Sequence, residues 1–178
     1  FASFFNSLGV QVTVIEMLDE ILGGMDKELS ALLRAEYAKR GIRFMLSTKV
    51  VSLAEASSED GKPQVQVNYE NAEGTGSVLA EKLLMSVGRR PVTKGFGLEN
   101  LELRRTERGN ICTNEQMQAS APGVYVCGDL TGYSLLAHTA VREAEVAVHT
   151  ILGKKDVMNY WAIPGVVYTN PEIAGVGQ

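Results

Sequence analysis

The order of apolar patterns in the first quarter of this 178-residue chain most constrains its fold. Residues 1–8 carry apolar side chains at the i, i+3, i+4, i+7 spacing of an amphipathic helix, and residues 10–16 alternate like a strand. Asp26 is a good N-cap for a second helix over residues 27–40, and residues 42–46 predict a short buried strand. A helix–strand–helix–strand order with short connections predicts a parallel sheet covered by helices.

The pattern changes in the next stretch of the chain. Three extended segments, residues 49–54, 64–69 and 78–87, are separated by polar turns. The middle segment alternates apolar and polar residues, which is typical of an antiparallel strand with one solvated face. We therefore expect a small antiparallel meander inserted in an α/β domain, with a domain boundary at residues 88–91.

The second half of the chain contains one strong helix signal. Residues 124–127 predict a compact buried strand, and Gly128-Asp129 ends it. A helix follows, whose predicted buried stripe is Leu136, Ala140, Ala144, Ala147 and Ile151. Residues 165–169 predict a final strand.

Composition excludes several classes of function. Lys and Arg number 17 and Asp and Glu 21, so the net charge is 17 − 21 = −4, and the sequence pI is near 5.3. Such a chain has no basic surface for nucleic acid or an anionic membrane. It also has no apolar run of about 18 residues that could span a bilayer. Its two cysteines form neither a disulfide scaffold nor a metal-ligand cluster.

Both ends of the sequence resemble interior points of a longer protein. The chain opens within a helical pattern, without a signal peptide. It stops at residues 175–178, just after a strand-like run. We therefore expect this sequence to be an internal section of a longer chain.

Glu16 is the first candidate binding residue, because it ends the first predicted strand. In dinucleotide-binding βαβ units, an acid at such a position accepts hydrogen bonds from the adenine ribose. The alternative is a solvated glutamate at a strand end. A carboxylate about 4 Å from a 2′-phosphate would be repelled by roughly 4 kcal/mol at an effective dielectric constant of 20. Residues 17–20 offer only more negative charge, so NAD is favoured over NADP.

Asp129 is the second candidate, between a predicted strand and a predicted helix. Its carboxylate could accept hydrogen bonds from sugar-like hydroxyls. The backbone N–H groups of residues 135–138 could face an acceptor oxygen, because the first N–H groups of a helix lack partners within it. The alternative for Asp129 is a loop aspartate that binds only local backbone amides.

The remaining reactive residue types predict structural roles. Cys127 ends a predicted buried strand, where cysteine behaves as a small apolar residue. His138 and His149 lie on one predicted helix, and no acid is placed to form an evident dyad with either. The sequence therefore predicts no nucleophile–base pair.

Several segments together resemble one family. They are Val14-Ile15-Glu16, Ser86-Val87-Gly88-Arg89-Arg90-Pro91, Val124-Tyr125-Val126-Cys127-Gly128-Asp129, Leu135-Leu136-Ala137-His138 and Tyr168-Thr169-Asn170-Pro171-Glu172-Ile173-Ala174-Gly175-Val176-Gly177. In this order and spacing they resemble the dihydrolipoamide dehydrogenases, a branch of the pyridine nucleotide–disulfide oxidoreductases. The resemblance covers essentially the whole chain.

The resemblance implies two cofactors, NAD and FAD, and a role for each matching residue. Glu16 would bind the adenosine ribose of NAD, and Val50 and Gly88 would line the NAD site. Asp129 would hold the ribityl chain of FAD. Four residues would surround the flavin pyrimidine, mainly through backbone groups: Leu135, Leu136, Ala137 and His138.

The implied fold is α/β. Residues 1–91 would be a Rossmann-like NAD-binding domain with an inserted antiparallel meander, lacking its first strand and glycine-rich loop. Residues 92–152 would be the returning half of an FAD-binding domain. Residues 153–178 would be a linker and the start of a dimerisation domain.

The implied function is reoxidation of protein-bound dihydrolipoamide, with a hydride passed through flavin to NAD. The whole protein would be a homodimer that serves the lipoyl domains of 2-oxoacid dehydrogenase complexes or of the glycine cleavage system. It would act in the bacterial cytoplasm or the mitochondrial matrix, with no nucleic-acid or membrane partner. The family's Cys-x4-Cys disulfide, glycine-rich loops and C-terminal His–Glu pair have no counterpart here, so we expect the chain alone to be inactive.

Two alternatives remain open from the sequence. A soluble pyridine nucleotide transhydrogenase shares the flavin-side layout but must also accept NADP, which the acidic residues near Glu16 disfavour. A non-catalytic NAD-binding module also agrees with the residues present, because every residue named above binds rather than reacts. Glutathione and mercuric reductases are less favoured, since no arginine accompanies Glu16 to meet a 2′-phosphate.

Overall fold

The structure is a computed structural model that describes residues 1–177. The chain divides into two compact units. The first unit contains residues 1–86 and 164–176, and the second contains residues 87–163 with residue 177.

The first unit opens with the predicted alternation of helices and strands. Its elements are α1 (Ala2–Ser7), β1 (Thr13–Ile15), α2 (Lys27–Lys39) and β2 (Arg43–Met45). The two strands pair in parallel, which confirms the predicted parallel sheet. The predicted N-cap of α2 is also confirmed: the Oδ1 of Asp26 accepts hydrogen bonds from two backbone N–H groups of the first turn, at 2.8 and 3.2 Å.

A three-stranded antiparallel meander follows, as the sequence predicts. It consists of β3 (Lys49–Ser57), β4 (Pro63–Asn71) and β5 (Gly74–Ala80), with β4 in the centre. The last strand begins earlier than the predicted segment 78–87. A tight turn pairs Asn71 with Gly74, and the strand therefore starts at once and ends at Ala80, which pairs with Val65.

The core of the first unit joins residues from distant parts of the chain. Leu33 and Tyr37 of α2 pack with Ile42 and Ile173, and all four are buried. Ile173 belongs to an antiparallel pair formed by β6 (Pro164–Val167) and β7 (Ile173–Val176).

The Tyr37 hydroxyl ties this strand pair to α2. It donates a hydrogen bond to the backbone O of Asn170 at 3.1 Å and accepts one from the backbone N–H of the same residue at 3.0 Å. A single hydroxyl thus satisfies both backbone groups of a residue 133 positions away.

The second unit contains one long helix, α3 (Ala137–Ile151), and otherwise mostly loops and short turns. The predicted strand over residues 124–127 is wrong. In this segment the structure has only an isolated bridge between Gln118 and Tyr125. Apolar residues can form a short buried run without a neighbouring strand to pair with, and sequence alone does not distinguish the two cases.

The buried face of α3 also differs from the predicted apolar stripe. The buried residues are Thr139, Glu143, Val146 and Ala147. Leu136 and Ile151 are exposed, and the three alanines of the predicted stripe are half-buried or buried. The helix therefore turns two polar residues inward. Val146 and Ala147 pack with Met117 and Met158 to form the core of this unit.

No helix within residues 1–177 is both long and apolar enough to cross a membrane.

Candidate functional site

Glu16 directly follows β1 and is half-buried. Its backbone N–H donates to the O of Met45 at 2.9 Å, and its backbone O accepts from the N–H of Thr48 at 2.9 Å. These two bonds continue the β1–β2 pairing and hold Glu16 beside the segment that leads into β3. The backbone of Glu16 is therefore fixed on both sides.

The Glu16 side chain also binds locally. Its Oε1 accepts a hydrogen bond from the backbone N–H of Leu18 at 2.9 Å. An ionised carboxylate has about four acceptor positions on its two oxygens, so this bond leaves capacity for a ligand's hydroxyl groups. The Glu16 carboxylate thus has a backbone partner of its own, and this contact is compatible with ribose binding.

The acidic residues after Glu16 are paired with cations. Lys27 binds Asp19 at 2.7 Å, and Arg34 binds Glu20 through two nitrogens at 2.8 and 2.9 Å. The hydrogen bond from Arg34 lowers the pKa of Glu20. The expectation that residues 17–20 add only negative charge is therefore wrong, because each of these acids is balanced. Both cations are held by these carboxylates, so the charge argument for NAD rests on Glu16.

Val50 lies near the start of β3 and is 43% exposed. It pairs with Tyr69, and the register of the sheet shifts between Val50 and Ser52. Two residues earlier, Thr48 makes the hydrogen bond to the backbone of Glu16. The structure thus brings Glu16 and the start of β3 together. Gly88 belongs to the second unit, where its φ is +100°.

The second candidate, Asp129, lies in a single 3₁₀ turn over residues 128–130 and is exposed. Gly128 has φ +76°, a left-handed conformation that glycine adopts without steric cost. The side-chain amide of Asn110 donates to the backbone O of Asp129 at 3.3 Å. Gly132 closes the same loop with φ +75°, and an added Cβ there would lie 2.5 Å from Asn110. This loop therefore requires glycine at two positions.

Sequence reasoning missed the residue that supports this turn. Glu143 of α3 is 0% exposed. Its Oε2 accepts from the backbone N–H of Gly128 at 2.5 Å. Its Oε1 accepts from the hydroxyls of Tyr160 at 2.7 Å and Thr131 at 3.2 Å. Burial, together with the hydrogen bond to Glu143 and its charge, raises the pKa of Tyr160 far above its ordinary value. A glutamate between apolar helix positions is the one sequence signal that could have indicated this cluster.

Residues 135–138 lie where α3 begins. Leu136 is the N-cap, in an extended conformation, and within the described residues no side chain caps the helix. Leu135 is 48% exposed, and Ala137 and His138 are exposed. The start of a 15-residue helix is thus open to solvent, as an acceptor-binding role for its backbone N–H groups requires.

Two expectations about reactive residues are wrong. His149 does have an acidic partner, because its Nδ1 lies 2.7 Å from Asp156, which Arg142 also binds. The hydrogen bonds from Arg142 and His149 hold the pKa of Asp156 well below its ordinary value. Cys127 is exposed rather than buried. Within residues 1–177 no three His, Cys, Asp or Glu side chains group as metal ligands.

Comparison with known proteins identifies the family. The sequence model for the pyridine nucleotide-disulphide oxidoreductases matches residues 1–144 of the chain. The chain belongs to this family. The α/β fold of its first unit agrees with this membership, as the sequence predicted.

The relatives of this chain include named enzymes. It is 42% identical over 177 residues to dihydrolipoyl dehydrogenase 3 of Pseudomonas aeruginosa, covering 98% of this chain and 37% of that protein. It is 39% identical over 178 residues to dihydrolipoyl dehydrogenase 1, mitochondrial, of Arabidopsis thaliana, covering 99% and 34%.

A solved structure supports the same relationship. LpdA of Mycobacterium tuberculosis superposes with a TM-score of 0.88 at 28% identity, covering 100% of this chain and 37% of that one. The chain therefore spans 37% or less of the length of the relatives named here.

Proposed function

We propose that this chain is part of an NAD-dependent, FAD-containing dihydrolipoyl dehydrogenase. Relatives of that name match nearly its whole length at about 40% identity. They favour this function over the transhydrogenase and over the non-catalytic module. Since the chain spans only a part of such enzymes, its own contribution is to hold the two cofactors.

The turn at Gly128 and Asp129 fits the sugar-like chain of FAD. An exposed carboxylate lies on a turn whose backbone is fixed by buried hydrogen bonds, so its position is defined before a ligand binds. In the same unit, residues 135–138 open a helix whose first N–H groups suit an acceptor oxygen. We assign ribityl binding to Asp129, and contacts with the flavin pyrimidine to Leu135, Leu136, Ala137 and His138.

Glu16 fits the adenosine ribose of NAD, and its position is the single observation that carries the proposal for the first unit. It ends a parallel strand, where the crevice of such sheets binds ligands. The two nearest acids in sequence hold their cations by hydrogen bonds, so those cations are engaged and do not offset a 2′-phosphate. Val50, at the adjoining strand start, and Gly88 would line the same nucleotide.

Asp129 and residues 135–138 would hold FAD, which would supply the two-electron chemistry that links oxidation of dihydrolipoamide to reduction of NAD⁺. The residues of this chain bind and orient the cofactors for that reaction. Its two cysteines, Cys112 and Cys127, are 15 positions apart and do not form the Cys-x4-Cys motif. We therefore expect no NADH formation from dihydrolipoamide by the chain alone, and measurable turnover would contradict this.

The proposal extends to the whole protein. Residues 1–91 would belong to its NAD-binding domain, residues 92–152 to its FAD-binding domain and residues 153–178 to a linker and dimerisation domain. The protein would be a homodimer that serves lipoyl domains. It would act in the bacterial cytoplasm or, in a eukaryote, in the mitochondrial matrix.

Reversing the charge at Glu16 tests the cofactor assignment in the complete protein. Glu16→Arg should weaken NAD binding and strengthen NADP binding, because the new cation attracts a 2′-phosphate and the lost carboxylate no longer accepts from the ribose. We expect a change of about 10-fold or more in the ratio of the two dissociation constants, measured by calorimetry.

Glu55→Arg provides the matched control for this substitution. Glu55 is exposed on β3, so the control makes the same change of net charge away from the proposed site. The control should leave the ratio of dissociation constants unchanged. An unchanged ratio in Glu16→Arg as well would remove Glu16 from the ribose site.

A further inference from the structure

Glu143 is a fully buried acid whose partners all belong to the second unit. Its carboxylate accepts from Gly128, Thr131 and Tyr160, at 2.5, 3.2 and 2.7 Å. Two of these donors belong to the turn that carries Asp129. The third belongs to the segment that follows α3.

This arrangement is rigid for a physical reason. A buried carboxylate without hydrogen bonds is strongly unfavourable, so each of its donors is held in place by the cost of losing it. The N–H of Gly128 points at Oε2, and Thr131 also donates to the backbone O of Gly128 at 3.0 Å. Glu143 therefore fixes the backbone on the N-terminal side of Asp129. The side-chain amide of Asn110 binds the backbone carbonyl of Asp129 itself.

We propose that Glu143 is a positioning residue for FAD: it orients Asp129 toward the flavin's ribityl hydroxyls without touching the cofactor. This inference rests on the proposed role of Asp129. It assigns the buried face of α3 a part in flavin binding.

The test uses the complete protein that contains this chain, stripped of flavin and titrated with FAD by quenching of flavin fluorescence. Glu143→Leu keeps side-chain volume but removes every acceptor, and should weaken FAD binding about 10-fold or more. Glu143→Gln keeps a carbonyl acceptor for Gly128, and should restore binding to within about 3-fold of the unmodified protein.

Glu145→Leu is the matched control. Glu145 lies on the same helix, and its side chain is 56% exposed. It should leave the dissociation constant for FAD unchanged. Equal weakening by Glu145→Leu and Glu143→Leu would overturn the inference, because the effect would then not depend on the buried hydrogen bonds.

A double-mutant cycle separates positioning from general structural support. If Glu143 acts through Asp129, then Glu143→Leu should cost much less FAD affinity in an Asp129→Ala background than alone. Additive effects would mean that Glu143 supports the unit as a whole, and would overturn the inference. If the unmodified protein binds no FAD, or if Asp129→Ala leaves binding unchanged, the proposed function itself fails.

Should Glu143→Leu not fold, Tyr160→Phe tests the same cluster with a smaller change. Loss of the Tyr160 hydroxyl removes one hydrogen bond to Oε1 of Glu143 and should weaken FAD binding about 2- to 3-fold. The loss of affinity should again be smaller in an Asp129→Ala background. Tyr133→Phe is its control, since the Tyr133 ring packs on Tyr160 at 4.7 Å and is 56% exposed. An unchanged FAD affinity in Tyr160→Phe would overturn the inference.

Discussion

The two proposed cofactor carboxylates are supported in different ways. Glu16 is held by backbone bonds to neighbouring strands and by its own contact with Leu18, two residues later. Asp129 is held through a buried side chain on another element, 15 positions after Gly128 in the sequence. The first site is built from local and strand-pairing bonds, whereas the second depends on a polar group in the interior.

This difference determines what each site tolerates. A residue fixed by backbone pairing keeps its position when side chains nearby change. A turn fixed by a buried carboxylate depends on one side chain, because each donor left without an acceptor costs free energy. The geometry of the turn that carries Asp129 should therefore be far more sensitive to substitution than that of the strand end at Glu16.

The largest expected contrast is between leucine substitutions at the two acids of the 178-residue chain. Glu143→Leu should lower the free energy of unfolding by about 2–4 kcal/mol, since the N–H of Gly128 and the hydroxyl of Tyr160 lose their carboxylate acceptor. Glu16→Leu should cost less than about 1 kcal/mol, the value of one local hydrogen bond.

Urea unfolding measures this contrast. Trp161 is the only tryptophan and lies in the second unit, so its fluorescence reports unfolding there, while circular dichroism reports the loss of helices and strands in both units. Equal losses of unfolding free energy in Glu143→Leu and Glu16→Leu would contradict the proposed difference between the two sites.

Two glycines test how rigid the loop around Asp129 is. Gly132 and Gly123 both have φ +75°, but an added Cβ meets Asn110 only at Gly132. Both alanine substitutions strain the backbone, and Gly132→Ala should cost about 1–3 kcal/mol more because the new methyl displaces Asn110. The measurement is urea unfolding followed by Trp161 fluorescence, and equal costs would mean that the loop relaxes freely around position 132.

The smallest expected effect concerns acid stability at Asp156. The pKa of Asp156 is lowered in the folded chain, so its ionised carboxylate stabilises the fold. This stabilisation is complete above the ordinary pKa of aspartate, about 4, and is lost as the pH falls through the lowered pKa. Asp156→Asn should therefore lose less stability than the unmodified chain on acidification below pH ~4. Thermal unfolding across pH measures this, and parallel curves would contradict it.

Much of the first unit could be predicted from sequence because its signals are local. The Asp26 cap, the alternation of β1 and the turns of the meander each act over a few residues. These signals also placed Glu16 at the end of its strand. Its roles in binding, like those of Val50 and Gly88, stay predictions.

The second unit was harder to predict for a definite reason. Apolar periodicity assigns polar residues to the surface, whereas α3 buries Thr139 and Glu143. Burial of Glu143 depends on donors from residues 128, 131 and 160, which lie on other segments. The pairing of His149 with Asp156 likewise depends on how the chain turns after the helix, which residue spacing does not specify.

The strand pair at residues 164–176 affects the order in which the protein is completed. Ile173 fills the core around Leu33. Asn170, which lies 133 positions after Tyr37, forms hydrogen bonds with the hydroxyl of that tyrosine. Translation reaches residues 1–86 first, yet this part of the first unit lacks Ile173 of its core until position 173 has been synthesised. The second unit, by contrast, has almost all its residues once position 163 has emerged. Of the two units, the one whose synthesis begins first therefore completes its core last.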